Sequence, residues 1–134
     1  MKIINEKYSV SDDAEWEIRK GGLYVSKGHG FSNLKRAKVY AINGSVIVWA
    51  TTGGAEAIAS APGSIARATN RGAKAYASKD WARAYATVDG AVAWAIKDGA
   101  EAWATVKGAV ANAIADKARS YATVDGARAY YFSK

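Results

Sequence analysis

From Arg36 to Lys134 the chain divides, without an insertion, into eleven consecutive blocks of nine residues. Three of them read GAKAYASKD (72–80), GAVAWAIKD (90–98) and GAEAWATVK (99–107), and the consensus is Gly-Ala-x-Ala-aromatic-Ala-Thr/Ile-x-Asp. A short fixed period means that each unit buries its apolar side only against its neighbours, so the chain must stack. Small residues occupy block positions two, four and six. In an extended strand these alternate side chains share one face. Position three carries Lys38, Glu56, Lys74, Arg83, Glu101, Arg119 and Arg128, which cannot all be buried without partners. The alanine side is therefore the inside, and the aromatic position five lies outside. Asp-Gly junctions at 89–90, 98–99 and 125–126 supply turn chemistry between strands.

A second period doubles the first. Position seven is Thr in alternate blocks (Thr51, Thr69, Thr87, Thr105, Thr123), whereas the blocks between carry Ile42, Ser60, Ser78, Ile96, Ile114 and Phe132. Position eight follows the same alternation, with Val88, Val106 and Val124 in the Thr series. The expected fold is all-β: a parallel β-solenoid, β-roll-like, built of nonapeptide half-turns. Two blocks make a coil of about 18 residues, with two parallel sheets around a thin alanine core. The eleven blocks alone give about five and a half coils, roughly 26 Å long. An alanine-rich helical array competes, since alanine is the best helix former. Glycines at 54, 63, 72, 90, 99, 108 and 126 would cost such helices about 1 kcal/mol each, and 46–54 reads as a strand followed by a turn.

Residues 1–35 lie outside the repeat. Glu15-Trp16-Glu17-Ile18-Arg19 and Leu23-Tyr24-Val25 flank Lys20-Gly21-Gly22, which reads as a β-hairpin that caps the first coil of the 36–134 array against strand addition. No equivalent cap is expected after Phe132, so oligomerisation or the charged Lys134 would have to guard that edge. Of the net charge of +7, residues 1–35 contribute +1 and residues 36–134 contribute +6. A basic array favours polyanion partners, although it also keeps an alanine-rich surface soluble. Cysteine is absent, which excludes disulfides and thiolate metal sites. No apolar run approaches the roughly 20 residues of a membrane span, and the N-terminus lacks the apolar core of a signal peptide. A cytoplasmic protein is expected, and the repeat suggests a phage or bacterial origin.

The doubling creates two unlike outer faces. On the face without the Thr column, here face A, the outward residues Val92, Trp94, Ile96, Val110, Ile114, Tyr130 and Phe132 form an apolar patch of a kind that monomers rarely expose. These residues are the candidate dimer or partner interface. Some of them could instead pack over a coil edge or under the N-terminal cap. On the Thr side, face B, the columns place Trp49, Arg67, Tyr85, Trp103 and Tyr121 beside Arg83 and Arg119. Aromatic and basic columns side by side could bind single-stranded nucleic acid or a glycan. Equally, rings on neighbouring rungs can stack on one another and stabilise the sheet.

No catalytic constellation is visible. The single histidine, His29, sits in Gly28-His29-Gly30 and reads as a loop residue. Asp12, Asp13, Glu15 and Glu17 read as solvated. The recurring Asp80, Asp89, Asp98, Asp116 and Asp125 resemble, in spacing, the calcium-binding nonapeptide β-rolls. However, the Gly-Gly-x-Gly-x-Asp loop of that family is missing, and Arg71 and Lys107 occupy equivalent positions. One carboxylate per turn cannot supply the several oxygens that calcium requires. The single Thr column is similar to, but poorer than, the paired Thr rows of ice-binding solenoids. No cofactor or metal is expected. The sequence thus points to a non-enzymatic interaction module that uses face A. The alternatives are a polyanion or glycan binder using face B, and a self-assembling structural component that grows end to end.

Overall fold

The computed structural model describes residues 1–132, so Lys134 lies outside the described residues. The chain forms sixteen strands and, among those residues, no helix. The first five are β1 (Lys2–Ile3), β2 (Tyr8–Val10), β3 (Glu15–Arg19), β4 (Gly22–Lys27) and β5 (His29–Ser32). Each nonapeptide block then supplies one four-residue strand from positions three to six. Face A receives β6 (Lys38–Ala41), β8 (Glu56–Ala59), β10 (Lys74–Ala77), β12 (Val92–Ala95), β14 (Val110–Ala113) and β16 (Arg128–Tyr131). Face B receives β7 (Ile47–Ala50), β9 (Ile65–Ala68), β11 (Arg83–Ala86), β13 (Glu101–Ala104) and β15 (Arg119–Ala122). Each of these block strands pairs in parallel with the block strand 18 residues away, for example Tyr76 with Trp94 and Tyr85 with Trp103. The result is the expected solenoid of two eight-stranded sheets.

The coil begins earlier than the repeat. β4 pairs in parallel with β6 and β5 with β7, so residues 22–32 form the first coil, and the array has about six turns. The hairpin of β3 and β4 is present, and its outer strand β3 ends the face A sheet. On the other sheet β2 runs antiparallel to β5, and β1 to β2. The pairing at the N-terminal end is thus antiparallel in both sheets, with the charged Glu15, Glu17 and Arg19 on the outermost strand of one.

The interior is alanine, as the alternation requires: Ala75, Ala77, Ala84, Ala86, Ala93, Ala95, Ala102 and Ala104 are fully buried. It widens toward the first coils, where Leu23, Val25, Val39, Val46 and Val48 are also fully buried. Gly30 accommodates this widening. A Cβ there would lie 2.6 Å from a methyl of Val25 and 2.9 Å from one of Val39. Polar side chains that point inward are satisfied locally: Ser64 Oγ donates to the Ala61 carbonyl at 2.6 Å, and Ser32 Oγ to that of Glu56 at 3.0 Å. Val88 and Val106 pack at the corners against the core.

The corners rest on position one. Seven glycines there have φ between 80° and 85°, a region that costs glycine nothing, whereas Arg36 (73°) and Trp81 (69°) adopt it against their preference. At the last coil, Tyr131 occupies inward position six. Its ring is half exposed, and its hydroxyl donates to the Asp116 carbonyl at 2.9 Å, so it folds over the corner one rung below.

Candidate interaction surfaces

The solenoid brings all the face A candidates onto one sheet. Val92, Trp94 and Ile96 lie on or beside β12; Val110 and Ile114 lie one rung on; Tyr130 and Phe132 lie on or beside β16. The first five are half-buried, while Tyr130 (41%) and Phe132 (51%) are well exposed and stack on each other at 6.2 Å. None of them packs under the N-terminal strands, which sit at the opposite end of the sheet order. The centre of the patch holds Asn112, only 5% exposed, on the rung between Trp94 and Tyr130. The Trp94 indole N–H is buried and finds no acceptor among the described residues. Toward the N-terminal end the same face turns polar at Lys74 and Glu56.

Face B gathers its candidates with equal regularity, but the rings are turned toward each other. Phe31 stacks on Trp49 at 4.8 Å, the Arg67 guanidinium lies 4.9 Å over Tyr85, Tyr85 stacks on Trp103 at 6.2 Å, and Trp103 on Tyr121 at 4.2 Å. The rung spacing of ~4.8 Å is also a comfortable stacking distance. The column therefore consumes its own π-faces and presents edges outward. The charges are engaged too. Arg83 pairs with Glu101 at 3.6 Å, and Glu101 also accepts the Trp103 indole N–H at 3.2 Å. A hydrogen bond with the Tyr121 hydroxyl holds the Arg119 guanidinium pKa above its usual value. Thr69 and Thr87 hydroxyls each turn back to a carbonyl of the preceding coil at 3.3 Å.

One other residue, His29, is placed differently from the sequence reading, whereas Asp12 and Asp13 are exposed turn residues as expected. His29 is not in a loop: it opens strand β5, pairs with Ile47 and stacks on Trp49 at 5.0 Å. Gly28, at φ 82°, makes the turn that frees it to do so. Asp12 is held below its usual pKa by the hydrogen-bonded N-terminal amine, and Asp13 by the Ser11 hydroxyl. Both therefore serve local structure. The residue that the repeat analysis passed over is Trp81, 72% exposed. Its signal was present, since its block is the only one to begin with an aromatic residue.

Among the described residues no three His, Cys, Asp or Glu side chains converge as a metal site, and no helix is long and apolar enough to cross a membrane. Compared with known proteins, the chain matches no family model, no curated protein and no solved structure.

Proposed function

We propose that this protein is a non-enzymatic interaction module, a rigid rod that associates through face A with a second copy of itself. The observation that carries this reading is the contiguous field of Val92, Trp94, Ile96, Val110, Ile114, Tyr130 and Phe132 on one flat sheet. Its size sets the strength. Three rungs at ~4.8 Å and four-residue strands at ~3.3 Å per residue give a patch of roughly 14 by 13 Å, or about 190 Å² per copy. A stable dimer of standard size buries about 800 Å² per partner. The association is therefore weak, in the micromolar range or above, and depends on concentration. Apolar contact makes it insensitive to salt. Sedimentation equilibrium of the wild type and of Trp94→Arg tests the proposal. A self-association that persists in high salt and is lost in Trp94→Arg is expected. A wild type that stays monomeric at millimolar concentration, or a variant with unchanged assembly, refutes it.

The +6 charge of the repeat region favours a second reading, polyanion binding on face B. The occupied ring faces weigh against it, because base stacking needs free ones. Retention on heparin or single-stranded DNA that falls steeply with salt would favour it.

A further inference from the structure

Trp81 is costly where it stands. At position one a glycine would sit without strain, as it does in seven blocks, yet here an indole is held at φ 69°. It is also the most exposed of the tryptophans and has no stacking partner among the described residues. The ladder explains its isolation. The Trp81 N–H donates to the Gly99 carbonyl and the Gly99 N–H to that of Lys117, both at 3.2 Å. The column thus reads Trp81, Gly99, Lys117. The glycine removes one side chain and leaves a gap two rungs wide, about 9.6 Å, between the indole and the lysine.

This gap is an open groove of about 440 Å³. Asp80 lies against its floor, so close to Gly99 that a Cβ there would collide with the carboxylate. Asp98 and Glu101 line it, with Lys117 and Arg119 on the far side. No ion pair among the described residues engages Asp80 or Asp98. The groove therefore offers a free π-face, carboxylate acceptors and cationic donors, all within the width of one ring.

We propose that this groove binds one pyranose ring of a neutral glycan. The C–H bonds on the apolar face of a sugar carry partial positive charge and are attracted to the negative face of an indole. The sugar's hydroxyls donate to Asp80 and Asp98 and accept from Lys117 and Arg119. With Glu101 paired to Arg83, two carboxylates face two cations, so the lining carries no net positive charge to draw an anionic ligand. A slot one ring wide also disfavours a flat protein surface. The site is independent of face A, while Glu101 and Arg119 join its far wall to the Trp103–Tyr121 end of the face B column.

The test is calorimetric titration of the full chain with neutral hexasaccharides of glucose (α-1,4 and β-1,4), xylose and N-acetylglucosamine, and with a heparin hexasaccharide for contrast. Trp81→Gly, which restores the common residue of the repeat and so leaves the fold intact, is measured alongside Trp49→Phe at the far end of the face B column. Binding of at least one neutral oligosaccharide, weakened roughly tenfold or more in Trp81→Gly and unchanged in Trp49→Phe, is the expected result. Failure of every neutral probe, binding of heparin alone, or equal binding by Trp81→Gly overturns the proposal.

Discussion

Gly30 offers a sharp test of how the interior is filled. It is inward-facing on β5, paired with Val48 of the next coil. A Cβ at this site would stand 2.6 Å from Val25 and 2.9 Å from Val39, both fully buried. Ordinary carbon contacts lie at about 3.5–4.0 Å, so Gly30→Ala overlaps two side chains with no route to solvent. Overpacking of this kind costs about 1–3 kcal/mol. Val25→Ala alone removes two methyl groups, at about 0.8 kcal/mol each plus a cavity term. The two changes compensate in part, since the second vacates the nearer of the two methyls that the first invades. The double variant is therefore more stable than the sum of the single losses by about 1 kcal/mol or more. Urea unfolding followed by far-UV circular dichroism and by tryptophan fluorescence measures all four corners of this cycle. Coincident transitions by the two probes license the two-state treatment. If Gly30→Ala unfolds within 0.5 kcal/mol of wild type, or if the double variant shows no coupling, the account of the first coil's packing is wrong.

Three further outcomes follow from the ladders. Asn112→Tyr would continue the face A aromatic column between Trp94 and Tyr130 and should stabilise by about 0.5–1 kcal/mol, read as a rise in Tm; a fall would show that the amide has a role the stack cannot supply. Trp81→Gly relieves the positive φ at a smaller cost in chain entropy, so thermal unfolding should shift upward by the equivalent of about 0.5–1 kcal/mol; a less stable variant would mean that the indole packs on the coil. Burial raises the pKa of Tyr40, helped by the neighbouring Tyr24, and burial likewise raises that of Tyr76. Their contribution is intact below the unfolded tyrosine value of about 10 and is lost as pH rises through the raised folded values. The urea midpoint should therefore drop above about pH 10, and Tyr40→Phe should drop less; equal slopes would remove Tyr40 from the explanation.

The repeat made the coil legible because strand alternation and charge at position three leave one inside. The column membership of Trp49, Tyr85, Trp103 and Tyr121 followed from the 18-residue period. That these rings consume one another's faces follows from the rung spacing, which only the parallel register supplies. The first coil was hidden because it uses no alanine: Leu23 and Val25 fill it, Gly30 makes room, and none of them fits the nonapeptide pattern. His29 was misplaced for the same reason, since its strand carries the solenoid's pairing without its sequence. Tyr131 breaks the small-residue rule at position six by folding over the corner, where its hydroxyl donates to the Asp116 carbonyl, instead of filling the interior. Trp81 was visible as an exception in the sequence, but its meaning depended on Gly99 lying one rung above.

The most direct test of face A pairing uses the absence of native cysteine. Val92→Cys places a thiol within the apolar patch, and Ile65→Cys places one at the equivalent position three on face B. Alkylation rates of both are measured from micromolar to millimolar protein. Face A pairing predicts that the Val92→Cys thiol becomes progressively protected as concentration rises, while the Ile65→Cys thiol reacts at a constant rate. Equal, concentration-independent rates at both sites, or protection confined to Ile65→Cys, would contradict it.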